Sequence, residues 1–195
     1  MRNKFLFFVL GCLFILGSCK KENDIPANYS VEFFDLQNAA VKYQQPVTLD
    51  LTKDGNTDFS FGVLLVGDPV LQRDRYQFFV SSRVKTKLLN DANDESPMLN
   101  KGEEIRFNHE GYTWYEVSAI VLTEKIVTNQ STTWNGIWTN ANHKYLPIQI
   151  EREGKLYNGW IELSFDKTDE KIILHKAALS KSPNVSIRAG EPGNG

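Results

Sequence analysis

The sequence is poor in the residues that build disulfides and metal centres. Its 195 residues include two cysteines, two methionines and three histidines. Cys12 lies within an apolar N-terminal segment and Cys19 follows that segment, so the rest of the chain offers no disulfide. His109, His143 and His175 are far apart and form no His-x-His or His-Glu-x-x-His pair, which disfavours a zinc site. We therefore expect a domain stabilised by its hydrophobic core.

An excess of charge of one sign is also missing. The 22 Lys and Arg residues against 24 Asp and Glu give a net charge of −2, which disfavours a nucleic-acid partner. With 41% hydrophobic and 12% aromatic residues, the chain is not of the disordered class. The sequence contains no Gly-x-Ser-x-Gly motif and no free thiol after Cys19, so we expect a protein that is not an enzyme. Its length fits a single domain.

The N-terminus has the pattern of an export signal. Arg2 and Lys4 precede a run of twelve apolar residues over 5–16, whereas a membrane-spanning helix needs about 20. The run ends in Leu16-Gly-Ser-Cys19, which resembles the lipobox of bacterial lipoproteins. This resemblance implies a signal peptide over 1–18, acylation of Cys19 and a lipid anchor in the outer membrane of a Gram-negative cell.

Residues 19–28 are expected to form a polar tether between the lipidated Cys19 and the domain. Basic residues followed by acidic ones, Lys20-Lys-Glu-Asn-Asp24, are similar to the surface-export signals of Bacteroidota lipoproteins. A plain solvated linker explains the same residues equally well. The sequence therefore leaves open whether the protein faces the periplasm or the cell surface.

The remaining chain predicts an all-β fold. Alternating and continuous apolar segments predict about nine or ten strands, separated by turn signals. The strands are expected over 29–34, 45–51, 58–66, 75–81, 112–122, 144–151, 156–165, 171–175 and 185–188. We therefore predict one antiparallel β-sandwich over 29–188, followed by a frayed tail over 189–195.

Acidic residues recur at every fourth position of one loop, as Asp50, Asp54 and Asp58. Calcium takes six to eight oxygen ligands, which these carboxylates, the Thr52 hydroxyl and the Asn56 carbonyl could supply around the Gly turn. A metal-free hairpin turn fits the same Asp-Gly pair. The loop is thus predicted either to bind a structural Ca²⁺ ion weakly or to be a simple turn.

Asp50–Phe61 follows a D-x-x-x-D-G-x-x-D-F-x-F pattern and, with two later segments, resembles a family of exported all-β bacterial proteins. The later segments are Tyr157-Asn-Gly-Trp-Ile161 and Val185-Ser-Ile-Arg-Ala-Gly190. The resemblance spans most of the chain after the tether. It implies a secreted β domain and carries no activity with it.

Four aromatic residues suggest a second kind of site. Trp134 and Trp138 would share one face if their segment were a strand, and Trp114 and Tyr115 lie in another predicted strand. Flat rings of this kind stack on sugars, although in sandwiches they more often fill the core.

The leading interpretation is a non-catalytic, lipid-anchored envelope protein that binds or scaffolds a ligand. Its expected partners are the membrane and either a glycan or another envelope protein. A glycan-binding module that uses exposed tryptophans is the first alternative. A glycan hydrolase, which would need two facing carboxylates, is the second.

Overall fold

A computed structural model describes residues 28–193 and confirms an all-β sandwich of packed antiparallel sheets. Residues 1–27 and 194–195, which include the expected signal peptide and Cys19, lie outside the described residues. The strands are β1 Val31–Val41, β2 Val47–Leu49, β3 Phe59–Asp68, β4 Arg73–Ser82, β5 Thr86–Asn90, β6 Glu104–Ile105, β7 Thr113–Glu116, β8 Ala119–Thr128, β9 Thr132–Asn135, β10 Lys144–Arg152, β11 Lys155–Asp166, β12 Lys171–Ser180 and β13 Ile187–Arg188. A 3₁₀ helix spans Ile137–Asn140.

The structure has more strands than the sequence predicted. Some short strands were not predicted, and one long predicted strand is divided into two. The predicted strand over 112–122 becomes β7 and β8, which belong to different sheets. Between them Val117 adopts a positive φ of 52°, which ends the extended run and lets the chain change sheets. The strands that were not predicted are β5, β6 and β9, and β6 has only two residues, too few for any alternation to be visible, whereas its partner β13 lies within the predicted strand over 185–188.

Two large sheets enclose the main core. One has the order β1-β12-β11-β10-β5-β7 and the other the order β2-β3-β4-β8-β9. Their facing side chains form a buried cluster whose largest members include Phe59, Phe61, Phe78 and Trp138. Because burial of apolar surface is the main favourable term in folding, this cluster holds the two sheets together.

A small third layer covers the outer face of the six-stranded sheet. The β13-β6 pair and the segment before β1 enclose a second cluster that contains Tyr29, Ile105, Tyr145 and Trp160. As a result, every residue from 158 to 165 in the central strand β11 is buried, although its sequence alternates. A strand buried on both faces is unusual for a two-layer sandwich and follows from this extra cover.

The expected frayed tail is wrong for residues 189–193. Ala189 is fully buried, and its N–H donates to the carbonyl of Glu103 at 2.9 Å. Gly193 forms a β-bridge with Ser30. The segment after β13 therefore packs against the chain entry, because its backbone groups pair with the protein instead of with water.

The two ends of the sandwich carry different connections. The chain enters at the end where Lys53 of the β2–β3 loop binds Glu32 of β1, with Nζ and Oε1 2.5 Å apart. At the same end Nη2 of Arg152 donates to the carbonyl of Leu51 at 3.2 Å. We call this the tether end. The turns over 42–45, 69–72 and 167–170 lie at the opposite end.

In the part of the chain that the structure describes, no helix has the length and apolar character needed to cross a bilayer.

Candidate functional site

A cleft with a volume of about 980 Å³ lies at the tether end of the described domain. Four connections meet there, because strands β3, β5, β8 and β11 begin at this end. We call it the loop-end cleft. Its lining comprises Thr52, Asp54, Asn56, Thr57, Asp58, Arg83, Val84, Lys85, Thr86, Val117, Ile150, Glu151 and Arg152. The cleft thus contains four of the five residues predicted to bind calcium.

Asp58 closes the base of the predicted calcium loop. Its Oδ2 accepts the N–H groups of Leu51 at 2.7 Å and Thr52 at 2.8 Å. Its side chain is 6% exposed, and this burial raises the pKa of the carboxyl above its ordinary value. One carboxylate oxygen therefore satisfies two backbone donors where the chain turns away from β2.

Asp50 and Asp54 accept hydrogen bonds from the exposed half of the same loop. The two oxygens of Asp50 accept the N–H groups of Asp54 at 3.3 Å and Gly55 at 2.9 Å. Oδ1 of Asp54 accepts the N–H of Asn56 at 2.8 Å, which lowers the pKa of that carboxyl. These are the local side-chain-to-backbone bonds typical of acidic residues in turns.

The loop therefore holds its shape by its own hydrogen bonds. Among residues 28–193, no group of three or more histidine, cysteine or acidic side chains is placed to hold a metal ion. The carboxylates of Asp50, Asp54 and Asp58 all accept backbone N–H groups of the loop, and Oδ1 of Asp50 and of Asp58 also accept from the Thr52 hydroxyl at 3.1 and 3.4 Å. Calcium binding at this loop, with Thr52 and Asn56 as further ligands, stays a prediction.

Three cationic side chains line the loop-end cleft. Nη2 of Arg83 donates to the hydroxyl of Ser60 at 3.2 Å, and the guanidinium of Arg152 lies 5.6 Å from the ring centre of Tyr157. Nε of Arg152 is buried without a hydrogen-bond partner. Within the described domain, none of the ion pairs includes Arg83, Lys85 or Arg152. Nη2 of Arg83 and Nη2 of Arg152 donate to neutral oxygens, so their remaining donors can bind an anionic group.

Two valines stand exposed beside these cations. Val84 is 70% exposed and Val117 is 63% exposed. The positive φ of Val117 is unusual for a β-branched residue, and strained backbone of this kind gathers at functional sites. The rim of the cleft thus combines protruding apolar groups with positive charge.

The predicted tryptophan face does not exist. Trp134 lies in β9, but Gly136 with a φ of 114° ends that strand, and Trp138 belongs to the 3₁₀ helix. Trp138 is 1% exposed, and its Nε1 donates to the carbonyl of Ser96 at 3.0 Å. The expectation that both tryptophans share an exposed strand face is wrong, because the chain turns between them and buries the second ring.

The other aromatic candidates lie apart from the cleft lining. Trp134 is half-buried, with its ring centre 5.1 Å from that of Phe165. Trp114 donates from Nε1 to the carbonyl of Arg106 at 3.1 Å, while Tyr115 next to it is 47% exposed. Because Trp138 is buried, it cannot form a sugar-stacking platform with Trp134, while sugar binding at Trp114 and Tyr115 stays a prediction.

The structure brings together a polar cluster that the sequence did not predict. The rings of His143 and His175 stack with centres 4.1 Å apart. Nδ1 of His143 lies 2.7 Å from the carboxylate of Glu162, and the Ser164 hydroxyl lies 2.8 Å from Nε2 of His175. Nδ1 of His175 lies 2.7 Å from Oδ1 of Asn38. Burial and the neighbouring His143 lower the pKa of His175.

In this histidine cluster, the placement of the Asn38 oxygen beside Nδ1 favours one tautomer of His175. With the Asn38 carbonyl oxygen as acceptor, Nδ1 carries the proton and Nε2 accepts from Ser164. The Ser164 hydroxyl in turn accepts the N–H of His143 at 2.9 Å. The cluster satisfies polar groups across β1, β11 and β12. Only strand alternation, which put Glu162 and Ser164 on one face, gave a sequence signal for it.

Comparison with known protein families, curated proteins and solved structures gives no match to this chain. The candidate site is therefore interpreted from its own geometry.

Proposed function

We propose that the chain is a non-catalytic envelope protein, held at the outer membrane by a lipid on Cys19, that binds a ligand in the loop-end cleft. The observation that supports a binding role is that the acidic and the basic side chains of this cleft differ in their partners. Its loop carboxylates accept N–H groups of their own loop, whereas Arg83, Lys85 and Arg152 line the cleft without ion pairs. Such side chains keep donors with which they can hold a ligand by charge and hydrogen bonds.

The lipid anchor rests on the Leu16–Cys19 pattern and is tested at Cys19. We expect the full chain to incorporate labelled fatty acid in a Gram-negative host and the Cys19→Ser variant to incorporate none, because serine has no thiol to acylate. Cys12→Ser is the matched control and is expected to label like the wild type, since Cys12 lies within the apolar run. Unlabelled wild-type protein, or a labelled Cys19→Ser variant, would overturn the anchor.

Structural calcium is a second part of the proposal, supported by the spacing of the three aspartates. Thermal unfolding of residues 20–195 is measured with millimolar calcium and with a chelator. We expect calcium to raise the midpoint of the wild type by a few degrees, because a ligand that binds only the folded state stabilises it. Asp54→Ala is expected to lose this rise, and Asp74→Ala, an exposed carboxylate in β4, to keep it. Identical wild-type curves would leave the loop a hairpin turn.

A further inference from the structure

The tether fixes which end of the domain lies near the membrane. If Cys19 carries the lipid, residues 19–27 reach at most about 30 Å before the described chain begins at Asn28. Strand β11, with twelve residues, spans about 40 Å of the sandwich. The tether therefore keeps the tether end, with its loop-end cleft, within reach of the bilayer surface.

The polar chemistry of this end suits lipid headgroups. Guanidinium groups bind phosphate oxygens through paired N–H donors, and lysine binds them as a point charge. Arg83, Lys85 and Arg152 offer such donors. The same lining also holds three acidic side chains, Asp54, Asp58 and Glu151, of which Asp54 and Asp58 accept N–H groups of their own loop. Glu116 does the same for the turn, because its Oε1 accepts the N–H of Lys85 at 2.7 Å.

The apolar chemistry of the rim suits the same surface. Val84 stands between Arg83 and Lys85 in sequence, and both Val84 and Val117 project into solvent. Segments that lie at a membrane surface combine apolar groups, which enter the acyl boundary, with cations that bind anionic lipid. The two valines and three cations give this combination at the end that the tether brings to the bilayer.

We infer that the loop-end cleft and its rim form a second membrane contact, which binds the phosphate groups of anionic lipids in the bilayer that carries the anchor. This inference rests on the proposed function, because the lipid on Cys19 is what places the cleft at the membrane. An acidic glycan is the competing occupant of the cleft.

The test uses residues 20–195, which contain both buried clusters in full and carry no lipid. Flotation is measured with vesicles of phosphatidylcholine alone and with an equal mixture of phosphatidylcholine and phosphatidylglycerol. The wild type is expected to float with the anionic vesicles only. Arg83→Gln combined with Lys85→Gln is expected to weaken this binding, roughly fivefold for each cation removed. Val84→Ser is expected to weaken it further.

The control has the same change of charge at the opposite end. Lys42→Gln combined with Lys167→Gln removes two cations from the turns farthest from the tether, and Val70→Ser removes an apolar side chain that is 86% exposed there. Both controls are expected to bind like the wild type. Equal losses in the test and control variants would overturn the inference, because the binding would then follow net charge.

Absence of wild-type flotation, or binding to polygalacturonate in place of vesicles, would also overturn the membrane contact. Neither result bears on the proposed lipid anchor, because the acylation of Cys19 is measured on the full chain. Failure of the labelling with successful flotation would instead overturn the anchor and leave the lipid-binding cleft.

Discussion

Replacing Trp138 with alanine is expected to lower the free energy of unfolding by about 3–5 kcal/mol. The ring is 1% exposed within the main cluster, so its removal leaves a cavity that the two sheets fill only in part. The change also removes the donor to the carbonyl of Ser96, a residue whose side chain is itself buried without a partner. Chemical unfolding of the wild type and the variant measures the loss.

Trp134→Ala is the matched control for this prediction. Trp134 is half-buried at the edge strand β9 and packs beside Phe78 and Phe165. Its removal is expected to cost roughly half as much, because less surface returns to water. A Trp138→Ala variant as stable as the wild type would mean that the ring is not a core residue, and the glycan platform would return.

The second large effect is expected at Asp58. Alanine at this position leaves the N–H groups of Leu51 and Thr52 without an acceptor in a buried setting, at a cost of about 3 kcal/mol. Asp58→Asn is expected to be much milder. Both N–H groups meet the same carboxylate oxygen, which an amide oxygen can replace. Chemical unfolding at neutral pH separates the two variants, and an equally large loss in both would contradict this account.

The pH dependence of the unfolding free energy gives an independent test of the role of Asp58. Burial raises the pKa of Asp58 in the folded chain, so the folded state holds this proton more tightly than the unfolded chain does. The contribution of Asp58 to stability therefore falls as pH rises from the ordinary aspartate range through the raised pKa. The difference in unfolding free energy between the wild type and Asp58→Asn is expected to show this slope. A difference that is flat with pH would contradict it.

The sequence predicted the sandwich because strand alternation is a local signal. It did not predict the burial of Trp138, which depends on Gly136. A Cβ at that glycine would lie 2.7 Å from the Leu122 carbonyl oxygen. Glycine therefore permits both the turn and the close approach of this backbone to β8. The Asn135-Gly136 pair is a turn signal within this segment, but it does not indicate that the turn buries the second ring.

The histidine cluster could not be predicted from the sequence for a different reason. His143 precedes β10, His175 lies in β12 and Asn38 lies in the bulge of β1. Their meeting depends on the strand order β1-β12-β11-β10 and on a register shift after Glu162. The loop-end cleft is similar, since its position at the tether end follows from topology, while the calcium-like spacing of its aspartates is visible in the chain itself.

The hydrogen bonds around the start of β1 determine how the domain responds to a pulling force. Ser30 pairs with Gly193, the N–H of Val31 donates to the carbonyl of Pro192, and β1 then runs antiparallel along β12 from Val31↔Ser180 to Val41↔Ile172. A force that draws Asn28 away from the domain acts along β1, so it loads the hydrogen bonds of this ladder together, in shear. Bonds that share a load must break together, which slows forced unfolding. This ladder therefore resists a force applied to the chain at Asn28.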